Sequence, residues 1–151
     1  MTTSVVALAP AYWDSLGRGV EAIALYAVLG LVLMVVGFYA IDLATPGPLR
    51  KELDQGKPNA VIVAAAGMVS MALIVVLAIY ASSGKLLEGL IMTAVFGLVG
   101  IVAEVVMMRV ATLLLGIDMH ALFAADEYNH EVLMVAAAQC SLGIVVAVAI
   151  L

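Results

Sequence analysis

Glu104 and Arg109 interrupt an apolar run that extends from about Gly89 to Leu115. A charged side chain deep in a membrane span costs about 3 kcal/mol on insertion scales, so it normally faces a bundle interior, a partner or water. Five residues of helix turn through about 500°, or 140° net. The two therefore do not share a face, and a salt bridge between them within the helix would be strained. Arg109 reads most simply as a side chain reaching to the membrane interface. Glu104 lies deeper and keeps three readings: a neutral carboxyl bonded to a neighbouring helix, a group on an ion or proton path, or a partner for a basic group on another helix or subunit.

A second polar concentration runs from Ile117 to Glu131 and holds His120, His130, Asp118, Asp126, Glu127 and Glu131. Such a composition can bind a divalent metal, but it lacks a tight ligand spacing such as an HExxH pair. It reads as a solvated loop, with Asp126, Glu127 and Glu131 suiting the positive end of a following helix dipole. No catalytic residue, metal site or cofactor is expected. An enzyme acting on lipid would have only the two histidines and their neighbouring carboxylates to use. The nine methionines are read as adaptable packing.

The elements that hold these residues follow from composition. The 151-residue chain is 66% hydrophobic and 11% charged, with a mean hydropathy of +1.25. A soluble domain carries about 25% charged residues, and disorder needs low hydrophobicity, so the bilayer must be the solvent for most of the surface. A net charge of -5 with only six Lys and Arg excludes nucleic acid as a partner. The lone Cys140 allows no internal disulfide. Met1 to Leu16 has no basic flank and does not read as a cleaved signal peptide. Residues 1–18 are expected to form an interfacial segment, with Tyr12 and Trp13 at the membrane surface.

A spanning helix needs about 20 apolar residues, and the charges divide the chain accordingly. The spans are Ala22 to Ile41, Ala60 to Ala81, Gly89 to Leu115, and Val132 to Leu151. Barrel strands would be half as long and would alternate, so the class is all-α: four transmembrane helices as two tandem hairpins, over 19–84 and 85–151. Gly30, Gly37, Ala64 to Gly67, Gly97, Gly100 and Ala136 to Ala138 are expected to line close helix seams. Shifting the chain by 70 residues sets Gly19 on Gly89, Gly30 on Gly100, Asn59 on Asn129, and Ile74-Val75-Val76 on Ile144-Val145-Val146. An internal duplication is expected, with the two units inserted in the same orientation. Arg50, Lys51 and Lys57 in the first connection, with Arg109 towards the same side, place the first and third connections in the cytoplasm and both termini outside.

In that first connection, Thr45-Pro46-Gly47 forms a turn after the first helix, because Pro46 cannot continue it. A short amphipathic segment follows, with Leu49 and Leu53 towards the membrane and Arg50 and Lys51 towards water or lipid headgroups. Asn59 then stands at the start of the second helix, where its side chain can cap backbone N–H groups.

A span ending in Asp42-Leu-Ala-Thr-Pro-Gly47, a short amphipathic connection, and Asn59-Ala60 opening a span with Ala64-Ala65-Ala66-Gly67 resembles the YjfL-like family of small bacterial inner-membrane proteins, domain of unknown function 350. The resemblance covers the chain from Gly19 onward and implies two tandem hairpins. Arg109 and Asn129 match the family's Arg near the cytoplasmic end of the third helix and its repeated Asn. Leu115-Gly116-Ile117 departs from a second Pro-containing turn, so the two connections need not be equivalent. The resemblance implies a location in the bacterial inner membrane and supplies no activity.

Together these readings describe a non-enzymatic membrane subunit that holds a partner or a homo-oligomer among membrane lipids. Glu104 and Arg109 would make interhelical contacts. The alternative is a small oligomeric channel or transporter with Glu104 lining the path.

Overall fold

A chain segment in lipid must satisfy its own backbone hydrogen bonds, and each long apolar run here does so as an α-helix. The computed structural model describes residues 10–44, 49–82 and 85–151, with the backbone alone for residues 10–12 and 111. The elements are α1 (Pro10–Ala44), α2 (Leu49–Asp54), α3 (Pro58–Ala81), α4 (Leu86–Leu115), α5 (Met119–Ala124) and α6 (Glu131–Ala149). No strand occurs among the described residues. α1, α3, α4 and α6 are long and apolar enough to cross a membrane. Thr45, Pro46 and Gly47, expected to form the first turn, lie outside the described residues, as does the side chain of Tyr12.

Local chemistry sets the helix ends. Pro58 opens α3 in the first turn, where its missing N–H would have had no intrahelical partner. α4 stops at Gly116, whose φ of +64° suits glycine and whose N–H bonds the Thr112 carbonyl at 3.1 Å. Asp118 caps α5, its Oδ1 accepting from the backbone N–H groups of His120 at 3.0 Å and Ala121 at 3.1 Å. The third connection is thus more than a solvated loop: Met119, Leu122 and Phe123 of α5 are buried.

α2 and α5 are both six-residue helices and start 70 residues apart, at 49 and 119, so the two connections share an element despite their different turn sequences. The expectation that Leu49 and Leu53 face the membrane does not hold. Leu49 is fully buried and Leu53 packs against the core, so this edge of α2 faces the bundle and not the membrane. The six-residue helix lies under α3 and against α5, and protein removes Leu49 from lipid altogether.

α1 starts well before the apolar run from Ala22. Its 35 residues span about 52 Å, against a hydrocarbon core of roughly 30 Å. Tyr26 meets Ser82 at the end of α3 through their hydroxyls, 3.3 Å apart. Residues 10–25 therefore continue about 24 Å beyond that level, carrying Asp14, Arg18 and Glu21, and residues 13–21 are all exposed. The expected interfacial segment is helical from Pro10 and continuous with the first span.

α3 is the centre of the bundle and packs on α1, α4 and α6. Seams of small residues set the spacing. A Cβ at Gly37 would stand 2.6 Å from Met71 Sδ, one at Gly97 2.7 Å from Leu33 Cδ1, and one at Gly100 2.4 Å from Ile74 Cγ2. The closest seam joins α3 to α6, where a Cβ at Gly143 would lie 1.7 Å from Ser70 Oγ and 3.0 Å from Ser70 Cα. Contacts pair Gly67 with Gln139 and Ser70 with Gly143, so these two helices run in the same direction.

Candidate functional site

The α3–α6 seam brings polar side chains together inside an apolar bundle. Ser70 on α3 and Gln139 on α6 are both fully buried, and Ser70 Oγ donates to the Gln139 carbonyl at 3.2 Å. Glu104 reaches the same level from α4: it is 0% exposed and its carboxyl faces the Ser70 hydroxyl. That hydroxyl is directed to the Gln139 carbonyl, and neither Glu104 oxygen has a hydrogen bond of good geometry among the described residues. Among the described residues the Gln139 side-chain amide also lacks a partner at both its oxygen and its nitrogen, and it is pressed against Gly67, whose Cβ position lies 2.6 Å from Gln139 Nε2. Buried polar groups in proteins almost always find partners. A carboxyl and an amide left without them beside one serine make this the chemically most unusual point of the molecule.

Thr93, also buried, donates to the Ala78 carbonyl at 3.5 Å nearer the Tyr26–Ser82 end. Sequence reading passed over Ser70, Thr93 and Gln139. Each is an uncharged polar residue within an apolar run, and Gln139 is the sole side-chain amide in α6. That signal was available, but it does not say which helical face is inside.

Glu104 and Arg109 are not paired. Arg109 is exposed, beside Ala40, Leu43 and Ala44 of α1, and has no carboxylate within salt-bridge distance among the described residues. The net rotation of about 140° separates an inward carboxyl from an outward guanidinium. Glu104 points into the bundle, whereas Arg109 lies at its surface beside α1.

At the end that carries α2 and α5, Asn59 joins the two connections. It is fully buried; its Nδ2 donates to the carbonyls of Leu122 at 2.9 Å and Glu127 at 3.0 Å, and its Oδ1 accepts from the Asn129 N–H at 3.0 Å. This corrects the expectation that Asn59 caps its own helix. The N-cap of α3 is Lys57, and Asn59, already inside the helix, faces the other connection. Asn129 does serve a helix start, its Oδ1 accepting from Glu131 N at 3.0 Å. Lys57 strengthens the junction: its Nζ donates to the Ala124 carbonyl at 3.1 Å and forms an ion pair with Asp126.

Arg50 and Lys51 are exposed on the first connection. The Arg50 backbone N–H donates to Asp42 Oδ1 at 3.1 Å, while its guanidinium lies 5.7 Å from the centre of the Tyr39 ring and donates to the Tyr39 hydroxyl at 3.4 Å. His120 and His130 are both exposed, and the His130 ring meets Tyr128 edge-on at 5.2 Å. Among the described residues no three His, Cys, Asp or Glu side chains are grouped closely enough to hold a metal ion.

The chain matches the family described as Domain of Unknown Function (DUF350) over residues 13–150. It is 38% identical over 115 residues to a UPF0719 transmembrane protein of Mycolicibacterium paratuberculosis, covering 75% of this chain and 70% of that one. It is 45% identical over 82 residues to UPF0719 transmembrane proteins of Mycobacterium bovis and Mycobacterium tuberculosis, covering 53% of this chain and 53% of each of theirs. No solved structure matches. None of these descriptions carries an activity.

Proposed function

Because the chain belongs to the DUF350 family of multi-pass transmembrane proteins, we propose that it is a non-enzymatic membrane subunit whose two interlocked connections form a docking platform for a membrane partner or a second copy. The observation that carries this reading is Asn59. Connections that only join helices need no buried amide, yet this one makes three hydrogen bonds across them. The result is a fixed surface in place of two independent loops. Arg50, Lys51, Lys57 and Arg109 favour a cytoplasmic position for that surface in the bacterial inner membrane, with both termini outside.

Photo-crosslinking from position 51 in intact membranes tests the reading. A discrete adduct is expected, either twice the protomer mass or of one partner mass, and Asn59→Ala should abolish it while the protein still inserts. The same probe at Val99, on an exposed face of α4, should not give that adduct. Identical adducts from both positions, or none from position 51, would refute a platform.

Glu104 favours a second reading, in which the bundle moves a proton through one protomer. Its support is the unpartnered carboxyl inside the chain. Such a placement suits a path through a protomer better than a pore between copies. Proton flux in proteoliposomes that Glu104→Gln abolishes would favour this reading over the platform; absence of flux removes it.

A further inference from the structure

The outer face of the α1–α3 pair carries an apolar groove. One part, about 420 Å³, is walled by Leu31, Met34, Phe38 and Met68 and ends at Tyr39 and Arg50. A second part, about 610 Å³, shares Leu31 and Met34 and continues past Gly30 to Tyr26. From Tyr26 to Tyr39 the groove runs along 13 residues of α1, about 20 Å, which exceeds the roughly 15 Å of one leaflet's hydrocarbon. Apart from the tyrosine hydroxyls and Arg50, its lining among the described residues is apolar.

We propose that this groove is a binding site for one anionic phospholipid, with an acyl chain along α1 and α3 and the phosphate on the Arg50 guanidinium. Three observations select that occupant. The groove is open along its length on a membrane-spanning face, as a lipid chain requires. Among the described residues its single charged lining group is a cation at one end, where a headgroup would lie. That cation is also free to bind an anion: Asp42 is engaged by the Arg50 backbone N–H, and the guanidinium is steadied by Tyr39 with no carboxylate within salt-bridge distance among the described residues. Guanidinium groups bind phosphate through paired N–H donors, and a basic group at the end of an interhelical groove is a recurrent way to select anionic headgroups. Lys57 has no such freedom, being paired with Asp126.

Native mass spectrometry of the full chain in detergent, titrated with phosphatidylglycerol or phosphatidylcholine of matched chains, tests the site. The first bound lipid is expected to favour phosphatidylglycerol by about five-fold, the effect of one Arg or Lys near an anionic headgroup. Arg50→Gln should bring the ratio to about one, and Lys51→Gln should leave it unchanged. Leu31→Trp, a change at a side chain already exposed to lipid, should lower first-lipid occupancy for both lipids. Glycerol 3-phosphate, which has the phosphate without the chains, should give no adduct. Equal affinity for the two lipids, equal loss from Arg50→Gln and Lys51→Gln, or unchanged binding in Leu31→Trp would each overturn the proposal.

Discussion

Glu104 separates structural from functional use of a polar residue. A carboxyl that tied helices together would show hydrogen bonds, as Asn59 does; among the described residues Glu104 has neither oxygen bonded. Its removal should therefore cost nothing. An unsatisfied buried polar group carries a desolvation penalty of about 1–3 kcal/mol, and interhelical hydrogen bonds in membranes average only about 0.6 kcal/mol. Glu104→Gln is expected to leave the thermal unfolding midpoint in detergent unchanged, and Glu104→Met to raise stability by about 1 kcal/mol. If Glu104→Gln lowers stability by more than about 1 kcal/mol, the carboxyl is a structural tie after all. Arg109 is the opposite case: its charge reaches the surface of the bundle, and only the carboxyl of this pair requires a functional account.

At the level of helices, the α3–α6 seam is set by one contact. A methyl group at Gly143 would meet the Ser70 hydroxyl, its Cβ and, at 3.0 Å, its Cα, so the backbones themselves must part. Overpacking of this kind costs about 1–3 kcal/mol, and here it would also disturb the Ser70 bond to Gln139. Gly143→Ala is expected to fall at the upper end of that range. Adding Ser70→Gly, which removes both nearest side-chain atoms, should recover most of the loss. A double-mutant cycle measured by thermal unfolding reads this as a coupling of about 1 kcal/mol or more. Gly89→Ala gives the contrast. A Cβ there would stand 2.1 Å from Tyr26 Oη, the far end of a side chain that can swing aside, so its cost should be clearly smaller. Additive losses in the Gly143–Ser70 cycle would show that the seam is not limited by this contact.

The whole molecule shows what was readable in a chain of this composition. Charges mark where the bilayer ends, so three of the four spans were legible to within a few residues; the first was not, because Asp14, Arg18 and Glu21 lie on a helix that runs back to Pro10. Burial along them was not, because helices that are apolar on every side carry no pattern separating a lipid-facing Val from a core Val. Gln139 and Ser70 therefore carry no mark of their inward position in the sequence, and the leucines of α2 read equally well towards lipid or towards protein. Asn59 and Asn129 could be matched by spacing, but their joint role needs two connections distant in sequence to meet in space. The uneven burial has a dynamic consequence. α3 is enclosed by three other spans, whereas residues 13–21 of α1 are exposed throughout and run beyond the level where α3 ends. Opening free energies follow local packing. Hydrogen exchange in lipid nanodiscs should therefore be slowest in α3 around Ser70 and fastest in α1 before Glu21, with the second half of α1 intermediate. Comparable protection over residues 13–21 and the centre of α3 would mean that a covering absent from a single protomer holds the projecting part of α1, and would identify that segment as an assembly surface.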